Sequence, residues 1–429
     1  MIIFIVFVVL ILLMFAGIPV ALATGMASTA HFLMLGDSRF LSILPQRMFA
    51  GVNSTELLCI AYFVLAGILM NKYGITEKLF DFCRELIGWV KGGLAYATIG
   101  VAVILSAILG SANAVTAILC MSAVPEMKKD GYDGAFSACL VSAAGVLGPL
   151  IPPSVGFVMI AALVGCSVRA LFMSGIIPGI IIAVAFAIVI GLQTRKANYP
   201  KYRERINGKA LWKSFIKAAP ALIIPFIMIG GVTFGWFTPS ESGAVAVAAT
   251  VICAIIYRSF SFKKLIESLR SAVTATAGIM IIVAFGNILG WSLAIDQIPA
   301  KLTQAVLSIS SNKIFVMGAL LVIMFFVGMF VDGFAAILIF APIFAPMATS
   351  VGINLVHFCL IFSIMIKIGL ITPPVGMCLF VSSNLTREPL ALISKKIWPF
   401  VIASMLATII LAYAEPITLW LPRALGMMF

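Results

Sequence analysis

Long apolar stretches, each closed by a short polar or charged run, set the pattern of this chain. Met1–Leu35, Leu94–Val124 and Ala170–Gln193 are each long enough to cross a bilayer, which takes about 20 residues. Their apolar positions are continuous, so they predict helices; a transmembrane barrel shows alternating segments of about 10 residues. At Asn71–Val90 charges fall between apolar residues at helical spacing. That stretch predicts an amphipathic helix lying along the cytoplasmic face of a membrane. Ile298–Leu307 predicts a shorter counterpart on the outer side.

The second half repeats the first at one offset and without a gap. Phe330–Gly352 aligns with Leu109–Gly131, 221 residues earlier (330 − 109). The same shift places Pro125 on Pro346, Ser142 on Ser363, Gly148 on Gly369 and Pro152-Pro153 on Pro373-Pro374. The shared residues are mostly helix breakers, and broken helices at matching places in two halves of an apolar chain point to a transporter's binding site. Leu94–Glu126 carries Gly110-Ser111-Ala112-Asn113 in its middle, and Thr303–Ala348 carries Gly328–Gly333. Each predicts a re-entrant hairpin with a polar tip near the midplane, a depth where irregular backbone must be buried by protein or line a wet cavity. The spans 135–165 and 355–382 are interrupted by Gly148-Pro149-Leu150-Ile151-Pro152-Pro153-Ser154 and Gly369-Leu370-Ile371-Thr372-Pro373-Pro374.

Composition agrees with a membrane fold: 63% of residues are hydrophobic and 10% charged, against about 25% charged in soluble domains. The net charge of +13 does not point to nucleic acid, because it sits in short loops between spans, where Lys and Arg mark the cytoplasmic side. Arg195–Lys217 holds eight basic residues against Glu204 alone, and Arg258–Arg270 holds four against Glu267. Both loops are expected inside, joined by spans at 215–235 and 236–257. Working outward puts Lys128-Lys129 inside and the uncharged Thr349–Asn354 outside, so corresponding loops face opposite sides and the repeat is inverted. No basic residue precedes Arg39; Met1–Phe15 therefore reads as part of a retained span, not a signal peptide.

Several chemistries are disfavoured. The eight cysteines form no C-x-x-C pair, the only histidines are His31 and His357, and no phosphate-cradling G-x-x-x-x-G-K-[ST] run occurs. A disulfide framework, a zinc site, ATP hydrolysis and an enzyme are not expected. Thr238-Pro239-Ser240-Glu241 reads as a helix capping box, and Asn53 and Glu56 as packing or interface residues.

The candidate site is the pair of breaks with the two tips. Proline frees backbone carbonyls at the end of a half-helix, where the macrodipole is negative and suits Na⁺; the restarted half-helix presents amides that suit a carboxylate. Ser111, Asn113 and Thr116 supply hydroxyl and amide oxygens at the first tip, and Asp332, opposite Ser111 in the repeat, supplies a carboxylate at the second. Oxygen ligands suit hard cations, and an acid within an apolar stretch is a functional candidate. Lys367, two residues before Gly369, either attracts a carboxylate substrate or neutralises Asp332.

These motifs, in this order and spacing, resemble the large membrane subunit of TRAP (tripartite ATP-independent periplasmic) transporters, from Gly17-Ile18-Pro19-Val20-Ala21 to the end of the chain. The resemblance implies an all-α polytopic protein of the bacterial cytoplasmic (inner) membrane. It would have an inverted repeat, two re-entrant hairpins and two broken helices, and would work as an elevator. It implies Na⁺-coupled import of a small carboxylate such as a C4-dicarboxylate, sialic acid or sugar acid. The substrate would be delivered by a periplasmic binding protein, with a separate small four-span membrane subunit as partner, lipid around it and no cofactor beyond the coupling ion. Scaffold and arm would occupy 1–93, the first transport repeat 94–165, scaffold with the cytoplasmic loop 193–217 residues 166–302, the second repeat 303–382 and a last span 383–429. Sodium ligands would come from Ser111, Asn113, Gly148, Pro149, Pro152, Gly328, Asp332, Gly333, Gly369 and Thr372, and substrate contacts from Thr116, Pro153, Ser154, Lys367 and Pro374. The alternative is a stand-alone carboxylate carrier of related two-hairpin fold that needs no binding protein.

Overall fold

The computed structural model describes residues 8–10, 12–14, 16–36, 38–197, 199 and 207–427. Most of the first predicted stretch, Met1–Phe15, and the basic-loop residues Lys201, Arg203, Glu204 and Arg205 lie outside them. Every regular element among the described residues is a helix. In chain order these are α1 (Val20–Met34), α2 (Ser38–Val52), α3 (Leu58–Lys72), α4 (Ile75–Ile87), α5 (Gly93–Leu109), α6 (Ala112–Lys129), α7 (Gly134–Gly145), α8 (Val155–Val164) and α9 (Val168–Ala197). There follow α10 (Gly208–Thr233), α11 (Pro239–Ile256), α12 (Phe262–Ile295), α13 (Ile298–Ile309), α14 (Lys313–Phe330), α15 (Gly333–Ser350), α16 (Leu355–Gly369), α17 (Met377–Thr386) and α18 (Leu390–Tyr413). Two short helices, Glu415–Thr418 and Trp420–Ala424, close the chain. Among the described residues, eight helices are long and apolar enough to cross a membrane by length and composition.

Helix boundaries recur at the sequence offset. α6 begins at 112 and ends at 129; α15 begins at 333 and ends at 350, 221 residues on in both cases. The prolines of Pro152-Pro153 and Pro373-Pro374 are both cis. The second hairpin starts at Lys313, because the stretch from Thr303 to Ile309 belongs to the separate helix α13.

The two halves interlock. α17 packs on α6 and α7 of the first half, and α8 packs on α15 and α16 of the second. Around this centre, α1, α2 and α3 lie along α12, α3 packs on α11, and α9 packs on α18. The amphipathic pattern at Asn71–Val90 forms α4, entered through the left-handed Gly74 (φ 70°). Its apolar face, Ile75, Leu79, Phe80 and Cys83, is buried by protein, since α4 packs against α5 and α10 and does not lie bare on a bilayer surface. The capping box forms as read: Thr238 N–H donates to Glu241 Oε2 at 2.8 Å, and Glu241 N–H to Thr238 Oγ1 at 3.3 Å.

Charge collects at helix ends. Arg84 pairs with Asp81 at 3.2 Å and Glu126 at 3.4 Å, Lys128 with Glu388 at 2.6 Å, and Lys396 with Asp133 at 2.7 Å. Another group joins Lys313 to Glu415 at 2.8 Å and Arg423 to Glu415 at 3.5 Å.

Small residues let backbones meet in the apolar interior. A Cβ on Gly175 of α9 would stand 2.5 Å from the Leu150 carbonyl oxygen, at the first helix break. Gly175→Ala is therefore expected to lower the thermal midpoint of the purified protein, at a cost of about 1–3 kcal/mol from overpacking. Gly278→Ala, where a Cβ meets nothing within 4 Å, is expected to leave the midpoint unchanged or raise it, since alanine gains about 0.5–1 kcal/mol over glycine within a helix. Thermal unfolding in detergent checks both.

Candidate functional site

Each break is folded so that most of its backbone N–H groups are bonded within protein. In the first, Gly148 N–H donates to Gly145 O at 2.9 Å and Leu150 N–H to Leu147 O at 3.0 Å. Ser154, extended at φ −122°, then caps α8 by accepting from Phe157 N–H at 3.3 Å. In the second, Leu370 N–H donates to Lys367 O at 3.1 Å, Thr372 N–H to Gly369 O at 3.0 Å and Cys378 N–H to Leu370 O at 3.0 Å. The Thr372 hydroxyl donates to Ile368 O at 2.8 Å.

The hairpin tips sit directly on these breaks. Gly110 has φ +59°, and a Cβ there would lie 2.8 Å from Pro153 O and 3.1 Å from the Val155 nitrogen. A Cβ on Gly148 would lie 2.8 Å from Ser111 O. In the second half Gly328 and Gly369 meet backbone to backbone, and a Cβ on Gly328 would lie 2.7 Å from Ile366 O. Only glycine fits these approaches.

Between the tips lies a cavity of about 20 Å³. Ser111, Asn113 and Pro149 line it from the first half; Asp332, Gly333 and Lys367 line it from the second. Ser111 and Asp332 are the N-cap residues of α6 and α15, so the positive ends of two helix dipoles open onto one polar space. Asp332 Oδ2 accepts from Phe334 N–H at 2.9 Å, a capping bond. Lys367 is 3% exposed and lies 5.2 Å over the Phe334 ring; a Cβ on Gly333 would stand 2.7 Å from its Nζ. Lys367 makes no ion pair within 4.0 Å among the described residues, so the acid and the lysine share the cavity without a direct bond.

The volume decides what fits. A water-sized particle needs roughly 10–15 Å³ measured this way; the cavity takes one small ion or water, and no carboxylate substrate. A hydroxyl, an amide and a carboxylate supply hard oxygen ligands. The other predicted residues are placed elsewhere. Pro152, Pro153 and Pro374 shape the breaks, Gly148, Gly328 and Gly369 make the close approaches, and the Ser154 and Thr372 hydroxyls each make one local bond, to Phe157 N–H and Ile368 O, that leaves acceptor capacity on the oxygen. Thr116 is fully buried with its side chain against the Cys378 thiol, and its Oγ1 has no hydrogen bond of good geometry among the described residues. Phe334, Leu370 and Cys378 were not predicted. Phe334 and Leu370 line the cavity, and Cys378 Sγ donates to Asn113 Oδ1 at 3.4 Å. One signal was available, because Phe334 is the repeat partner of Asn113 (334 − 113 = 221).

Span-length helices, paired breaks and an ion-sized polar cavity between two tips define a multi-pass helical membrane transporter. Residues 7–417 match the family described as "Tripartite ATP-independent periplasmic transporter, DctM component". The chain belongs to that family. It is 32% identical over 415 residues to the sialic acid TRAP transporter large permease protein SiaM of Vibrio cholerae, covering 96% of each chain. It is 33% identical over 385 residues to the C4-dicarboxylate TRAP transporter large permease protein DctM of Pseudomonas aeruginosa, covering 90% of each. Its fold is similar to the crystal structure of the Alcanivorax borkumensis YdaH transporter, described as having an unusual topology. The TM-score is 0.67 at 12% identity, covering 90% of this chain and 88% of that one.

Gly369→Ala forces a side chain into the Gly328 backbone. Its expected result is protein that reaches the membrane at reduced yield and transports at less than about a tenth of the wild-type rate, since a misplacement near 1 Å at a preorganised site costs roughly 100-fold. Uptake per membrane-inserted molecule measures it.

Proposed function

We propose that this chain is the transport-carrying large subunit of a Na⁺-coupled importer of a small organic acid in a bacterial inner membrane. A periplasmic binding protein delivers the substrate and a small four-span subunit supports the large one. The observation that carries this reading is the cavity between the tips, with Ser111 and Asp332 oxygens around a volume suited to one small cation and Lys367 beside it for an anion. The names of SiaM and DctM, one for sialic acid and one for C4-dicarboxylates, support an acid as cargo. The loop charges support an inverted repeat, with the basic segments at 193–217 and 258–270 cytoplasmic. On that reading the hairpins enter from opposite faces and meet at the midplane. Tips and breaks then carry ions and substrate together past the surrounding helices in an elevator motion.

The decisive test reconstitutes the chain with its small subunit and binding protein in liposomes. Carboxylate accumulation is expected under an inward Na⁺ gradient and absent when a proton gradient replaces it; equal uptake under both overturns Na⁺ coupling. Asp332 separates charge from capping. Asp332→Asn keeps a capping oxygen, and is expected to fold like wild type while losing Na⁺ stimulation. Asp332→Ala loses the cap as well, with a further cost of about 1 kcal/mol in stability. Na⁺ titration of uptake and thermal unfolding read the two effects apart.

A further inference from the structure

Cys378 touches more of the site than its sequence context suggests. It opens α17 immediately after the second break, in the half opposite Asn113, and it is fully buried. Its N–H donates to Leu370 O at 3.0 Å, tying it to a residue of the cavity wall. Its carbonyl oxygen lies 3.3 Å from Ser142 Oγ, whose single hydroxyl proton also has Ser382 Oγ at 2.7 Å and Ala138 O at 2.8 Å as acceptors. Its thiol donates to Asn113 Oδ1 at 3.4 Å. One residue therefore joins the second break, the first broken helix and the first hairpin tip.

The thiol bond has a chemical consequence. An asparagine side chain offers an acceptor oxygen and a donor NH₂. The thiol takes one of the two Oδ1 lone pairs and so fixes the amide plane, with the Nδ2–H donors on the side away from Cys378. A cation needs the oxygen; a carboxylate needs the N–H. The repeat gives no second copy of this device, because the positions matching Cys378 and Asn113 are Phe157 and Phe334. Phe334 instead lies beneath the Lys367 ammonium. The first tip thus has an amide donor and the second an ammonium, one on each side of the same cavity.

We propose that Cys378 is a positioning residue for substrate: its thiol fixes the Asn113 amide so that Nδ2–H points at the carboxylate of the transported acid. The proposal rests on the carboxylate-transport reading above, and not on which ion drives it.

The test measures uptake in whatever gradient drives the wild type, for Cys378→Ala, Cys378→Ser and the control Cys253→Ala. Cys253 is a buried thiol bonded to Pro220 O at 3.1 Å, far from the tips in sequence and on the separate helix α11. Cys378→Ala is expected to raise the carboxylate KM about 3- to 10-fold, the worth of one hydrogen bond, with the maximal rate and the half-saturating Na⁺ concentration within about two-fold. Cys378→Ser restores a donor and is expected to return KM to near wild type, and Cys253→Ala to leave it unchanged. An unchanged KM in Cys378→Ala, a fall in maximal rate alone, or a serine variant no better than alanine overturns the proposal. Thermal unfolding of Cys378→Ala, Asn113→Ala and the double variant tests the contact without transport. The double variant is expected to lose no more than the worse single one, and additive losses overturn the contact. If the wild type moves no carboxylate, the functional reading fails separately, and the unfolding cycle still decides whether the thiol holds Asn113.

Discussion

A break in a membrane helix frees peptide groups that lipid cannot satisfy, and in this protein everything near the site depends on how those groups are housed. Both breaks use the same solution. Tight backbone turns satisfy part of the released groups, as in Gly148 N–H to Gly145 O and Thr372 N–H to Gly369 O. A hairpin tip then covers the rest of the turn at backbone distance. That cover works only if side chains are absent at the contact, which explains glycine at Gly110, Gly148, Gly328 and Gly369. The site is therefore a by-product of shielding: two covered breaks, set side by side by the interlocked α8 and α17, leave one polar gap between them.

The scaffold of the gap is repeated, but its chemistry is not. Ser111 faces Asp332, Asn113 faces Phe334, and Lys367 has Val146 as its counterpart. A symmetric lining would give two equal cation sites and no anion site. The unequal lining puts a fixed acid, a fixed lysine and an oriented amide within one cavity, so ions of both signs have partners there. Asp332 and Lys367 remain without a direct ion pair, so the charge of each stays available to a ligand. A closed buried pair would already have spent that interaction.

Most of the architecture was legible because helix-breaking residues carry strong local meaning. Pro152-Pro153 and Pro373-Pro374 marked the breaks, Gly110–Asn113 and Gly328–Gly333 marked the tips, and the helix boundaries recur at the offset those residues defined. What sequence did not disclose were partners distant along the chain. Cys378 looked like a small hydrophobe in an apolar run, and only the packing of α17 onto the other half brings its thiol to Asn113. Likewise the local bonds of Ser154 to Phe157 and of Thr372 to Ile368, which orient these two hydroxyls, are set by the backbone course of the breaks and are not written in residue type. The start of the second hairpin was placed early, at Thr303, inside the stretch whose amphipathic pattern marks α13; that helix runs on to Ile309, and α14 starts only after Ser310–Asn312.

The contacts around the site also differ in kind. Each tip meets its own break through close backbone approaches at glycine, which act at fixed geometry. The hairpins meet their surroundings mainly through apolar packing: Leu109 of α5 sits in the notch at Gly67 of α3, and Leu338 of α15 in the notch at Gly286 of α12. Such contacts are interdigitated packing, which loses dispersion contacts when the surfaces move but leaves no polar group unpaired. The ion pair Arg84–Glu126 crosses between α4 and α6 at the protein surface, where such a pair contributes about 0–1 kcal/mol. A seam around the hairpins and broken helices together would part apolar contacts of this kind, whereas one between a tip and its break would uncover backbone polar groups. A cavity of about 20 Å³ has to enlarge before a carboxylate can enter. That seam, with the two notches as its bearing points, is where the proposed elevator motion would act.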